Sequence, residues 1–152
     1  MNKIINIVFP KTIDNNLHGY KIVKYIFMIL AAISFIRSCI HLFSPDGGAG
    51  SIASLDLSTG AQNIIFSFAL WGGSQLIYAV IQLLVASRYG KLIPFMYIMI
   101  IFETIIRMYI GFTKPPIVAH VPLGGIANYV LLPLGIIMFV LCIITPKKEN
   151  VS

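Results

Sequence analysis

The chain has 152 residues, of which 58% are hydrophobic and only 11% charged, with a mean hydropathy of +0.90. Soluble domains carry about 25% charged residues, so this composition excludes an ordinary water-soluble enzyme and leaves no room here for a second, soluble domain. The formal charge of +6 would suit a nucleic-acid binder, but the cations gather at the ends of apolar runs, as membrane anchors do, and no nucleic acid is expected as a partner.

Residues 1–20 open with a short apolar run, 4–9, closed by Pro10. It is too short to span a bilayer and reads as an interfacial segment or a mobile tail. The first long apolar segment covers 21–43. Its basic start resembles the beginning of a secretory signal, yet the apolar part is too long and no A-x-A cleavage site follows, so it reads as a retained span. Ser34, Arg37, Ser38 and His41 make its final two turns polar on one side.

A connector, 44–62, follows without Lys or Arg and opens S-P-D-G-G-A-G-S. Pro45, Asp46 and Gly47 are turn residues. The stretch 51–59 reads as a short interfacial helix, with Ser51 as cap and Gly60 as stop. The second span, 63–87, contains W-G-G-S-Q at 71–75, in which Ala69 and Gly73 have the small-x-x-x-small spacing of close helix packing. Gln75 and Gln82, seven apart, share a face that turns inward.

The basic turn R-Y-G-K at 88–91 makes the second and third spans antiparallel neighbours. The third span, 92–112, places an acid and a base in hydrocarbon: Glu103 and Arg107 are four residues apart, about 6 Å along a helix axis. Such residues need pairing, snorkelling or a polar cavity, so this face should turn into a bundle. The connector 113–125, T-K-P-P-I-V-A-H-V-P-L-G-G, cannot continue the helix through Pro115 and Pro116. The fourth span, 126–144, begins near Asn128 and Tyr129. Pro133 inside it should bend it and free a carbonyl near Tyr129. A short polar tail, 145–152, ends the sequence.

These spans predict an all-α integral membrane four-helix bundle: one transmembrane domain, 21–144, between an N-terminal segment and a cytoplasmic tail. Lys3, Lys11, Lys21, Lys24, Arg88, Lys91, Lys147 and Lys148 lie on one side, and only Lys114 lies on the other. The positive-inside rule puts both termini in the cytoplasm and both glycine-proline loops outside. The expected location is a bacterial cytoplasmic membrane. Tyr20, Tyr25, Tyr89, Tyr109 and Tyr129 fall near segment ends, as interfacial belts do.

In that topology Arg37, His41, Glu103 and Arg107 converge in the outer half, with Gln75 near mid-membrane and Asn128 opening the fourth span. Two arginines then face one glutamate. Unless Asp46 or Asp56 folds back, the site has a spare positive charge that calls for an anionic or strongly polar partner. One reading is a ligand site: Arg37, Arg107, Asn128, Gln75 and Asp46 hold the head of a lipid, quinone or isoprenoid, and Glu103 and His41 supply acid-base chemistry. The other is structural, with Glu103 pairing Arg37 and Arg107 snorkelling to head groups.

A metal would need His41, His120 and Asp46 or Glu103 to meet, and no spacing announces this; His18 lies on the other side. No metal or nucleotide motif is present, and quinone is the cofactor class left open. Cys39 and Cys142 fall near opposite ends and read as packing residues. The two outer loops share P-x-G-G after a histidine, a pattern that can form an anion-binding nest of amides or arise by chance among 12 glycines. Four short helices with few polar lining residues make a poor transport path.

The helix pattern, the Pro-Asp-Gly-Gly of the first outer loop and the E-T-I-I-R of the third span resemble the small bacterial DoxX-like and related four-helix membrane proteins, over roughly 21–144. The resemblance implies a four-helix bundle with polar residues inside, quinone, redox or isoprenoid-related chemistry, and Arg37, Glu103 and Arg107 as pocket residues. Without paired redox cysteines, disulfide chemistry is not implied. Two functions therefore compete: binding of an amphipathic ligand, with or without catalysis, and a non-catalytic assembly role in a homo-oligomer or membrane complex. In the latter Ser67, Gly73 and Gln75 would pack across a subunit boundary.

Overall fold

The structure is a computed structural model that describes residues 2–118, 120 and 122–144; the tail expected at 145–152 lies outside the described residues. It contains α1 (Asn2–Val8), α2 (Lys21–Phe43), α3 (Ala61–Arg88), a 3-10 turn (Gly90–Leu92), α4 (Ile93–Thr113) and α5 (Leu123–Ile143). The last four α-helices are each long and apolar enough to cross a membrane. The architecture is an all-α transmembrane four-helix bundle, and α3 and α5 begin two and three residues earlier than their hydropathy suggests. α5 runs unbroken through Pro133.

The bundle is two tight helical hairpins, α2 with α3 and α4 with α5, set side by side. Small residues explain both. A Cβ on Gly72 of α3 would stand 2.6 Å from His41 Cβ and 2.9 Å from the His41 carbonyl carbon, so only glycine lets the backbones approach so closely. Ala79 and Ala86 continue that strip at seven-residue spacing, both fully buried. Gly135 plays the same part in α5, where a Cβ would lie 3.1 Å from Ile101. The close-packing glycine of the W-G-G-S-Q stretch is therefore Gly72 and not Gly73, whose added Cβ would meet only Leu42, at 3.9 Å. α3 and α4, though joined by the shortest connection, approach less closely than the hairpin partners do and meet through long side chains.

Between the hairpins, the half of the bundle nearest Lys21 and Lys91 is filled. Val23, Phe27, Ile93, Tyr97 and Cys142 are fully buried there, and Tyr97 packs edge-on to Phe27, with ring centroids 5.6 Å apart. The Tyr97 hydroxyl donates to the Val23 carbonyl at 2.9 Å, satisfying the one polar atom that the ring brings into the core.

Residues 2–20 form a strap across this end. α1 buries Ile7 and Val8, and Phe9 packs on Phe95, centroids 5.7 Å apart. The Asp14 carboxylate pairs with Lys91 at 2.9 Å, and the Asn15 side chain accepts from Lys24 at 3.0 Å and from the Gly90 amide at 3.3 Å. His18 Nδ1 donates to the Cys142 carbonyl at 2.8 Å. The strap thus touches α2, the α3–α4 turn and α5. Of the two readings of this segment, interfacial or mobile tail, its contacts speak against the tail.

At the opposite end the loop 44–60 also departs from expectation. No helix forms over 51–59, where the backbone turns and then extends, and Leu55 makes an isolated antiparallel bridge with Val118. The physical reason is Asp46. Its carboxylate accepts from the Ser44 hydroxyl at 2.7 Å and from the amides of Gly48, Gly50 and Ser51 at 2.8, 3.1 and 2.7 Å, which winds the loop around one side chain. Gly47 and Gly48 take the left-handed backbone this requires, φ +60 and +70. Gly60 opens α3 in a left-handed conformation, φ +68, rather than closing a preceding helix.

Candidate functional site

Where the packed half ends, the seam between the hairpins opens into a cleft of about 460 Å³ at the loop end of the bundle. Its walls come from α2, α3, α4, α5 and the Asp46 loop. Arg37, His41, Trp71, Arg107, Lys114 and Asn128 supply the polar and aromatic lining, and Ile52, Phe68, Ile110 and Pro122 much of the apolar remainder.

Helical spacing builds the site. Arg37 and His41 are one turn apart on α2. On α3, residues 68, 71, 75, 78 and 82 recur at intervals of three and four, so they share a face. On α4, Glu103 and Arg107 are one turn apart, and Lys114 follows just past the end of the helix. Arg107 Nη1 donates to Glu103 Oε1 at 3.0 Å and Arg107 Nη2 to Thr104 Oγ1 at 3.4 Å. Gln75 Nε2 donates to the same Glu103 oxygen at 3.4 Å, and Gln75 Oε1 accepts from Arg37 Nη2 at 3.4 Å. The relay Arg37–Gln75–Glu103–Arg107 crosses from one hairpin to the other. Glu103 therefore pairs with its own helix neighbour, and Arg37 reaches it only through the amide of Gln75.

His41 is 2% exposed and donates from Nδ1 to the Gly47 carbonyl at 2.8 Å. That bond makes Nδ1 a donor, so in the neutral form of the ring Nε2 is the nitrogen left to accept. The imidazole packs against Trp71 and Phe68, with centroids 5.0 and 5.6 Å apart, and the Arg37 guanidinium carbon lies 5.6 Å from the Trp71 ring centroid, within cation–π range.

Four of the expected residues, Arg37, His41, Arg107 and Asn128, line the cleft together. Gln75 and Glu103 stand behind it and hold the two arginines in place. Asp46 is separate: its oxygens are committed to its own loop, and those hydrogen bonds hold its carboxyl well below the usual carboxylate range. The amides of Gly48, Gly50 and Ser51 in that loop are taken up by the chain's own Asp46. Asp56 does not fold back either; it is exposed and accepts from the Ser58 amide and hydroxyl at 2.9 and 3.0 Å. The spare positive charge thus finds no carboxylate beyond Glu103 among the described residues.

Two lining residues were not singled out beforehand. Trp71 could have been found because it lies one turn before Gln75 on the same face. Lys114 was noticed only as the lone exception to the charge asymmetry, which was itself the signal.

Among the described residues no group of three or more His, Cys, Asp or Glu side chains is arranged to hold a metal ion. Cys39 and Cys142 are both free thiols. A second, more open groove runs along α2 past Phe35, Ile36, Cys39 and Phe43. Its walls are almost wholly apolar, as suits contact with acyl chains. Compared with known proteins, the chain matches no family model, and no curated protein or solved structure is significantly similar to it.

Proposed function

We propose that this chain is a small membrane protein of a bacterial cytoplasmic membrane that binds the polar end of an amphipathic ligand, of the lipid, quinone or isoprenoid class, in the outer cleft. The basic strap end lies in the cytoplasm and the cleft opens outward, as the distribution of lysines argues. The tail of the ligand leaves through the seam between the hairpins, where Phe68 and Ile110 give it apolar walls. A DoxX-like relationship belongs to the same proposal, through Arg37, Glu103 and Arg107.

The observation that carries this reading is the convergence of Arg37, Arg107 and Lys114 on one cleft with no acidic side chain in its walls among the described residues. Each guanidinium also keeps a buried Nε–H without an acceptor, which favours a polar partner. His41, with Nε2 available to accept, is the group best suited to take a proton from such a ligand; Glu103 is paired and set back, so its role is to hold Arg107.

Native mass spectrometry after gentle extraction tests the reading. The intact protein should carry one defined small-molecule adduct, lost in Arg37→Ala and retained in Glu103→Gln; an adduct kept equally in Arg37→Ala rejects the site. The competing reading is an assembly subunit. Ser67, which donates to its own helix at the Asn63 carbonyl, and Gly73, beside which an added Cβ would only touch Leu42 at 3.9 Å, can meet a second chain. Gln75, turned inward to Glu103, cannot. Cross-linking in native membranes that returned only monomer would count against that role.

A further inference from the structure

The charge inventory of the cleft narrows what its occupant can be. Arg37, Arg107 and Lys114 line it, and Glu103, the nearest acid, neutralises one of them through its 3.0 Å pair with Arg107. Three cations less one anion leave two positive charges. Asp46 and Asp56 are bound to their own loops, so neither relieves this excess. A quinone carbonyl would accept hydrogen bonds and neutralise neither charge, and a carboxylate would neutralise one.

Geometry separates the candidates in the same direction. Arg37 approaches from one hairpin, Arg107 from the other, and Lys114 from the mouth one helix end above. A planar carboxylate presents two oxygens in one plane, whereas the oxygens of a phosphate radiate tetrahedrally and can meet donors arriving from three sides.

We propose that the cleft selects a phosphate head group, carried on an alkyl, acyl or isoprenyl tail, over a carboxylate or a quinone ring. This rests on the reading that the cleft takes an amphiphile and names the chemistry of its head. Phosphate on a lipid and free phosphate share that chemistry, and the apolar walls beside the cations, Phe68 and Ile110 among them, favour the lipid-borne form.

The test is a binding titration of the full chain in a neutral maltoside detergent with four probes: dodecyl phosphate, dodecanoate, a decyl-substituted benzoquinone and inorganic phosphate. Dodecyl phosphate should bind at least about tenfold more tightly than dodecanoate or the quinone, as loss of one charge-assisted contact implies. Arg37→Gln and Lys114→Gln should each erase most of that preference, with thermal unfolding confirming that both variants are folded. Because the ranking of head groups is read on the unaltered protein, it decides the matter even if a variant does not fold.

Failure of inorganic phosphate to compete with dodecyl phosphate supports a lipid-borne phosphate; competition at similar concentrations supports free phosphate as the source. Equal binding of all three amphiphiles overturns phosphate selection while leaving an amphiphile site. Absence of binding by any of them overturns both readings.

Discussion

The two halves of the bundle use the same four helices for opposite ends. Near the strap, the seam between the hairpins is closed by Phe27, Tyr97 and Ile93, and the one polar atom of Tyr97 is satisfied by the Val23 carbonyl. Near the loops the same seam is held apart by Trp71, Phe68 and His41, and its polar groups outnumber the partners that the chain provides. The difference teaches that the packed half supplies stability and thereby lets the other half keep uncompensated charge. Mutations should separate the two, changing stability alone in one half and occupancy in the other.

The largest effect is expected from Phe27→Ala in the packed half. It should cost about 3 to 5 kcal/mol in unfolding measurements in detergent, as deletion of a buried aromatic does, while amphiphile binding by the folded protein stays unchanged. Gly72→Ala comes next, at about 2 to 3 kcal/mol, because the added methyl meets the His41 backbone, which cannot yield as a flexible side chain would. Gly73→Ala, one residue away, should shift stability by less than about 0.5 kcal/mol; equal effects at the two glycines would contradict the packing of α2 on α3. Glu103→Gln should cost about 2 kcal/mol, because it leaves half-buried Arg107 without its counter-charge, and the adduct should persist.

Asp46→Asn should cost about 1 kcal/mol, for the weakened charge-assisted bonds of the loop. Its sign with pH is fixed. The Asp46 carboxyl is depressed in the folded chain, so its stabilisation is fully present above the unfolded value of about 3.9 and fades as pH falls below that. Thermal stability followed from pH 6 to pH 3 should fall less steeply in Asp46→Asn than in the unaltered protein. Asp14 and Asp56, depressed in the same direction by their own partners, should leave a residual slope.

The spans were legible because hydropathy at the scale of twenty residues is a strong signal, and the meeting of Arg37, His41 and Arg107 followed once the charge asymmetry set their depths. What escaped depended on tertiary contacts. Asp46 looked like a ligand group because its capture by Gly48, Gly50 and Ser51 requires two left-handed glycines that no linear pattern announces. Gly73 was preferred to Gly72 because spacing alone does not say which face of α3 meets His41. Sequence left the strap open between an interfacial segment and a tail because α1 and Phe9 are anchored only when Phe95 and its neighbours are there to receive them.

Trp71 is the one tryptophan of the chain and lines the cleft beside Arg37, so its emission reports the central claim directly. Titration with a dodecyl phosphate brominated close to the head should quench Trp71 saturably, with the quenching abolished by unlabelled dodecyl phosphate and by Arg37→Gln. Quenching that rises linearly with probe concentration and is the same in Arg37→Gln would show only partition into the detergent belt, and would contradict a binding site at the outer end of the seam.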